Sequence, residues 1–211
     1  TLQTGTKTAE PVDYAAARKL FDKLVKGKTA KGYTPGAEGT PYQSTDHEAR
    51  ATGILPQLLN PIEEDQAQLL LTDSDWYAQE KYDGQRVLIR KVGEIITAMN
   101  RRGLVMALPL PIMEAAIQYG GSQWLLDGEA LGDRFVAFDL LENACVDLRQ
   151  ETYQQRLQNL GRLNCMVNNN RDGAIRMVET ATSSSAKRAL LVHLRKINAE
   201  GIVFKRRLAP Y

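Results

Sequence analysis

Residues 81–86, which read KYDGQR, bring together side chains that suit a phosphate group. Lys81 and Asp83 are two residues apart, so on an extended strand they lie on the same face. Gly84 lets the backbone turn close to a ligand, and the guanidinium group of Arg86 suits a phosphate oxygen. A single lysine on a strand is usually a solvated surface amine. The acid, the glycine and the arginine that follow favour a functional role for Lys81 instead.

Two further segments place acids beside or within apolar strands. Residues 126–131 read LDGEAL, and by alternation Asp127 and Glu129 share one face of the predicted strand. Burying two carboxylates is unfavourable unless they are paired or bind a metal, so this pair predicts a contact to Mg²⁺ or to a ribose. Residues 200–205 read EGIVFK, in which an acid and a lysine bracket an apolar strand.

Two other segments carry little information on their own. Residues 101–103 (RRG) are typical of an exposed hairpin tip, and residues 135–141 (FVAFDLL) are typical of a core strand. The order of all five segments is more specific, because K-x-D-G-x-R, R-x-G, D-G-E, F-D-L-L and E-G-I-V-F-K follow one another along the chain. This order resembles that of the motifs in the covalent nucleotidyltransferases, a superfamily that comprises DNA ligases, RNA ligases and mRNA-capping enzymes.

The resemblance covers residues 50–207 and points to the adenylation (nucleotidyltransferase) domain of ATP-dependent DNA ligases. Residues 55–59 (LPQLL) resemble the apolar segment that precedes the nucleophile in those ligases. The fold implied is α+β and ATP-grasp-like, with antiparallel sheets flanked by helices. The activity implied begins with Lys81, whose amine attacks the α-phosphate of ATP, expels pyrophosphate and forms lysyl-AMP. AMP then passes to a 5′-phosphate, and a 3′-hydroxyl seals the nick.

The same resemblance implies the nucleotide contacts. Arg101 lies where the family contacts the nucleotide near the ribose, Phe138 where it stacks on the base, and Lys205 where it contacts the α-phosphate. Glu129 and Glu200 match acids that hold Mg²⁺, and Glu129 also matches a ribose contact. The complete expected set of nucleotide-binding residues is Gln79, Glu80, Asp83, Gly84, Arg86, Arg101, Glu129, Phe138, Glu200 and Lys205.

The sequence departs from the family pattern at two places. Many DNA ligases carry Glu where Gln79 stands, and that Glu reads the amino group of adenine. Because Gln also accepts a hydrogen bond, ATP remains the expected nucleotide. The final Lys-x-Lys motif and an OB-fold domain are expected downstream, and the sequence ends at Tyr211 without them. We therefore expect residues 46–211 to be an adenylation domain truncated before that motif.

The elements that position these residues are predicted from periodicity. Helices are expected at 13–26, 46–53, 109–119, 152–163 and 183–198. Strands are expected at 76–83, 86–92 and 95–99 as an antiparallel meander, at 124–131 and 135–141 as a pair, and at 174–179 and 201–205. Because helices and strands occur in clusters without βαβ alternation, the expected class is α+β.

Composition narrows the range of partners. The 211 residues carry a net charge of +2, only two cysteines and no apolar run of membrane length, so we expect an intracellular protein, cytoplasmic or associated with the nucleoid. A monomer is expected. Residues 1–45 hold seven Lys/Arg against four acids and are expected to form a basic helix and a linker at 32–43. Part of this segment resembles the tail of a WGR domain. The expected partner is nicked DNA, or RNA, with a 5′-phosphate.

Two other functions fit the same residues. The first is RNA ligation or GTP-dependent RNA capping, which uses the same lysyl chemistry on a different polynucleotide or nucleotide. The second is a catalytically silent module that binds nucleic acid, which the absent final motif and the basic front segment favour. The presence of Lys81, Glu129, Glu200 and Lys205 together favours an active enzyme.

Overall fold

The computed structural model describes residues 13–29, 51–167 and 173–211. The helices are α1 (Tyr14–Thr29), α2 (Glu64–Thr72), α3 (Leu110–Gln118), α4 (Tyr153–Val167) and α5 (Ser184–Lys196). The strands are β1 (Trp76–Lys81), β2 (Gln85–Val92), β3 (Ile95–Asn100), β4 (Val105–Met106), β5 (Gln123–Leu131), β6 (Arg134–Asn143), β7 (Val146–Asp147), β8 (Ile175–Met177), β9 (Thr180–Ala181) and β10 (Gly201–Arg206).

The larger sheet carries most of the predicted motifs. Its strands lie in the order β4-β3-β2-β5-β6-β7, with β8 pairing β6 in parallel. The centre of the sheet is apolar on both faces: Val87 and Ile89 face a core that also contains residues of α3 and α4, and Leu88 faces a smaller cluster. The predicted hairpins β2–β3 and β5–β6 are confirmed.

The smaller sheet holds β1 between β10 and β9, and all its pairs are antiparallel. The prediction that β1, β2 and β3 form one meander is therefore wrong. Both edges of β1 are occupied by strands from the C-terminal third of the chain, so β1 has no free edge for β2. The chain crosses from the smaller to the larger sheet within residues 82–84. Lys81 thus lies where the two sheets approach each other.

Four predicted helices are confirmed with small changes of boundary. Asp13 caps α1 by accepting a hydrogen bond from the Ala16 amide at 2.8 Å, and Ser183 caps α5. The predicted strand at 174–179 is confirmed as the shorter strand β8, which joins the larger sheet. Strand β9, which joins the smaller sheet, follows just after the predicted range. Helix α2 was not predicted.

The predicted helix at 46–53 is wrong where the structure describes it. Ala51 forms an antiparallel bridge with Leu104, and the Thr52 amide donates to the Gly103 carbonyl at 2.9 Å. The remaining residues of that prediction, and the predicted linker at 32–43, lie outside the described residues. In the part of the chain that is described, no helix combines the length and apolar character needed to cross a bilayer.

Lys187 joins three elements through a buried ammonium group. Its side chain is fully buried on α5 and donates to the carbonyl oxygens of Leu70, Asp73 and Trp76 at 2.8, 2.5 and 3.0 Å. These carbonyls lie at the end of α2, just after it, and at the start of β1, so one side chain ties α2 and β1 to α5.

Replacing Lys187 with Met is expected to lower the free energy of unfolding by about 2–4 kcal/mol, because three buried carbonyls lose their donor. The measurement is urea denaturation followed by circular dichroism. Arg188→Met, at the exposed neighbouring position, serves as the control and should change stability by less than about 0.5 kcal/mol. Equal stability of the two variants would show that the buried ammonium is not structurally important.

Candidate active site

Lys81 and Glu200 meet because β1 and β10 run antiparallel. The end of β1 lies beside the start of β10, and Lys81 is directly paired with Gly201. The Lys81 ammonium donates to Glu200 Oε1, and the two side chains are 38% and 37% exposed. Two residues predicted from distant segments are therefore in contact, and the lysine remains open to a ligand.

Arg86 is held rigidly at the start of β2. Its Nε donates to Asp127 Oδ1 at 2.6 Å and its Nη2 donates to Asp127 Oδ2 at 2.7 Å. Asp127 is fully buried on the neighbouring strand β5, so this bidentate pair is well shielded from water. Asp127 was predicted to share a face with Glu129 and, with it, to contact Mg²⁺ or a ribose. The structure shows that it orients Arg86.

The hydrogen bonds around Arg86 close into a ring. Arg86 Nη2 also donates to the Gln57 carbonyl at 3.2 Å, and the Gln57 amide donates to the Tyr211 hydroxyl at 2.8 Å. Tyr211 donates in turn to Asp127 Oδ2 at 2.7 Å. Residues 55–59, predicted as an apolar turn or strand entry, are neither helix nor strand, and the Gln57 backbone supports the ring. Neither Gln57 nor Tyr211 was predicted to take part.

Glu129 lies in surroundings that disfavour its charged form. The pKa of the Glu129 carboxyl is raised to about 7. Burial is the main cause, and the negative charges of Asp127 and Glu200 add to it, while Arg86 and the Gly84 amide act in the opposite direction. Because Glu129 and Glu200 repel each other, a divalent cation between them would relieve the repulsion. Two carboxylates together with substrate phosphates are also a usual donor set for Mg²⁺, so these residues fit the predicted ion.

The raised pKa of Glu129 predicts how stability depends on pH. The folded state binds this proton more tightly than the unfolded state, so stability should fall as pH rises from about 4.5 to about 7. Glu129→Gln removes the titration, so its stability relative to the wild type should increase by on the order of 2 kcal/mol across that range. Denaturant unfolding at about pH 4 and pH 8 measures the difference. A difference that does not vary with pH would contradict the assignment.

Gly84 is required by the close approach of the chain to β5. A Cβ atom at this position would lie 2.4 Å from the Ala130 carbonyl oxygen and 2.9 Å from Glu129 Cγ. The glycine that was expected to shape the nucleophile loop therefore also allows the strand pairing of Arg86 with Glu129. Asp83, its neighbour, is exposed between β1 and β2.

Phe138, on β6, is in contact with two cations, Arg86 from β2 and Lys205 from β10. The Arg86 guanidinium carbon is 4.5 Å and the Lys205 Nζ is 4.4 Å from the centre of its ring. Burial lowers the pKa of Lys205 to about 8, while Asp139 and Asp127 oppose that change. Phe138 and Lys205 thus lie at the Arg86 end of the site.

Gln79 and Glu80 point away from each other on β1. Gln79 is buried, and its amide nitrogen donates to the hydroxyls of Tyr153 at 2.5 Å and Thr180 at 2.8 Å. Glu80 lies near Tyr82, where burial, and then the charge of Glu80, raise the pKa of the tyrosine to about 12. Gln79 thus shares the strand face of Lys81, and Glu80 faces the other side.

Arg101 is the predicted residue that stands apart. It is exposed in the turn that follows β3, and the contacts described within 51–167 and 173–211 do not join it to Lys81 or Glu129. Among the same residues, no group of three or more His, Cys, Asp or Glu side chains is arranged to hold a metal ion. A metal at this site would therefore depend on ligands supplied by the substrate.

Comparison with known proteins identifies the fold. No protein-family model and no curated protein matches the sequence. Among solved structures, the ligase domain of LigD from M. tuberculosis matches with a TM-score of 0.54 and 22% identity, over 66% of this chain and 50% of that chain. A mycobacterial DNA ligase D complexed with ATP and MES matches with a TM-score of 0.52 and 21% identity, over 66% and 51%.

A third match is a Lig E DNA ligase, described as binding DNA with a minimal scaffold. It has a TM-score of 0.52 and 17% identity, over 75% of this chain and 64% of that chain. The chain spans about half the length of the first two structures. At these identities the matches show the fold, so the α+β fold of ligase adenylation domains, expected from the motif order, is confirmed.

Proposed function

We propose that this chain carries the nucleotide-accepting site of an ATP-dependent DNA ligase, with Lys81 as the residue that becomes adenylated. The observation that carries the proposal is the convergence of five side chains from four strands, on both sheets, and from the bend before β10: Lys81, Arg86, Glu129, Lys205 and Glu200. The similarity in fold to a mycobacterial DNA ligase D complexed with ATP supports the choice of nucleotide.

Lys81 acts as the nucleophile in the first step. The lone pair of its amine forms a bond to the α-phosphorus of ATP, while the bond from that phosphorus to the bridging oxygen breaks and pyrophosphate leaves. The ammonium must first lose a proton, and Glu200, which already accepts a hydrogen bond from Lys81, is placed to receive it. AMP then passes to a 5′-phosphate, and attack by a 3′-hydroxyl releases AMP.

Cations fixed by the fold stabilise the phosphate charge. Asp127 holds Arg86 in one orientation, so Arg86 needs little reorganisation when charge develops in the transition state. Lys205 supplies a second positive group beside Phe138. Glu129 and Glu200 would hold Mg²⁺, which supplies charge neutralisation at the phosphates.

The remaining contacts are carried over from the resemblance of the motifs. Phe138 offers its ring to the base, and Gln79 accepts from the adenine amino group. Asp83 and Gly84 shape the loop after the nucleophile, and Arg101 and Glu80 reach the nucleotide or the polynucleotide from the rim.

The test follows AMP from the protein to a polynucleotide. The chain is incubated with ATP and Mg²⁺, and then with a nicked DNA duplex or a nicked RNA duplex, each with a 5′-phosphate. We expect AMP-capped or sealed DNA. Activity on RNA alone would replace DNA ligation with RNA ligation, and labelling by GTP in preference to ATP would indicate capping. Tight binding to nicked DNA without a covalent adduct would indicate a catalytically silent module.

A further inference from the structure

The strand pair β5–β6 contains a bulge at Phe138. Asp127 pairs with Asp139 and Gly128 pairs with Ala137, so Phe138 is the extra residue on β6. An extra residue in a bulge leaves the regular ladder, and its backbone groups need other partners. The Phe138 carbonyl accepts from the Tyr153 hydroxyl at 3.1 Å and lies 3.4 Å from Lys205 Nζ.

This bond decides which way the Gln79 amide faces. A tyrosine hydroxyl has one proton, and that of Tyr153 is committed to the Phe138 carbonyl. Towards Gln79, 2.5 Å away, Tyr153 therefore acts as an acceptor and must face an N–H group. The second N–H of the amide donates to Thr180 Oγ1 at 2.8 Å. The nitrogen is thus fixed on the protein side, and the Oε1 oxygen lies outside these two bonds.

We propose that Tyr153 is a positioning residue for nucleobase selectivity, acting through the amide orientation of Gln79. This inference rests on the proposed function, because it requires a purine nucleotide beside Lys81. An amide held in this orientation presents an acceptor, which pairs with the amino group at C6 of adenine. Guanine has a carbonyl at C6, and two acceptors facing each other repel. A rotated amide would instead donate to guanine.

The placement of these residues supports the assignment. Gln79 precedes Lys81 by two residues, so both side chains lie on one face of β1. At the other end of the hydrogen-bond chain, Phe138 is in contact with Lys205 and Arg86. The chain from Phe138 through Tyr153 to Gln79 therefore connects the expected base-stacking residue to the expected base-reading residue.

Tyr153→Phe tests the inference, because it removes the hydroxyl that holds the amide. We expect the ratio of ATP affinity to GTP affinity, measured by equilibrium binding, to fall about tenfold, mainly through tighter GTP binding. Tyr119→Phe is the matched control, since Tyr119 is also buried and its hydroxyl bonds to Asn164 at 3.0 Å within the α3–α4 region. Its ratio should match that of the wild type.

A second variant distinguishes a change in the orientation of the Gln79 amide from a general disturbance of the structure. In Gln79→Glu/Tyr153→Phe, the carboxylate presents an acceptor in either orientation, so the preference for ATP should return. If Tyr153→Phe does not fold, Thr180→Val removes the other bond to the amide and provides the same readout.

The outcomes distinguish this inference from the proposed function. A folded Tyr153→Phe protein with an unchanged ratio would overturn the inference while leaving ligase chemistry intact. Wild-type protein that binds ATP but forms no adduct would overturn the lysyl step, and the binding ratio would still be readable. Wild-type protein that binds neither nucleotide would overturn both.

Discussion

Replacing Lys81 with Ala is expected to reduce the formation of a covalent AMP adduct by at least about 10³-fold, because the attacking amine is removed. Lys81→Arg should be equally inactive, since a guanidinium group keeps its proton. The measurement is the intact mass of the protein after incubation with ATP and Mg²⁺. Neither change should unfold the protein, because Lys81 and Glu200 form a partly exposed pair of low energetic value.

Lys196→Ala is a suitable control for the loss of a lysine. Lys196 lies exposed at the end of α5, outside the site. The Lys196→Ala variant should therefore form the AMP adduct to the same extent as the wild type. An adduct that persists in Lys81→Ala would contradict the assignment of the nucleophile.

Replacing Arg156 with Met should cause the largest loss of stability. The side chains of Arg156 and Asp139 are both only 2% exposed, and the guanidinium donates to the two carboxylate oxygens at 2.8 and 3.1 Å. Removing Arg156 leaves a buried carboxylate without its main partner, and the ammonium of Lys205 is 4.0 Å away. The free energy of unfolding should fall by about 3–5 kcal/mol, measured by denaturant unfolding.

A double variant shows whether the unpaired charge is the cause. Asp139→Asn combined with Arg156→Met removes both charges, and it should recover part of the loss seen in Arg156→Met. If the double variant is no more stable than Arg156→Met, then packing by Arg156, and not charge pairing with Asp139, makes the dominant contribution to stability.

Local sequence patterns predicted where the strands lie better than they predicted which strands pair with each other. Alternation identified β2, β3, β5 and β6, and the short turns between them made the two hairpins predictable. Alternation also identified β1, but this pattern contains no information on which strands pair with the two edges of β1. Those strands come from residues more than 100 positions away, and the pairing depends on packing across the whole domain.

The candidate site shows the same division. The motif order identified Lys81 and Glu200, and the structure places them in contact. It did not identify the hydrogen bonds that hold Arg86 in place. One of them joins Tyr211 to Asp127, which are 84 positions apart, and nothing in the local sequence around a tyrosine or a buried acid indicates a hydrogen bond over that separation. Arg101 shows the opposite case, a residue assigned by motif that the fold leaves exposed in a turn.

The bulge at Phe138 explains why the role of Tyr153 could not be predicted from the sequence. The segment FVAFDLL is typical of a regular core strand, and the extra residue becomes visible only when β6 is paired with β5. The carbonyl released by the bulge then creates the need for a donor, and Tyr153 supplies it from α4.

The most direct test of the account is to locate the adduct within the chain. After incubation with ATP and Mg²⁺, the protein is digested under conditions that preserve a phosphoramidate bond, and the peptides are sequenced by tandem mass spectrometry. We expect AMP on the peptide that contains Lys81 and on that residue. AMP on another lysine, or nucleotide bound without any covalent adduct, would contradict it.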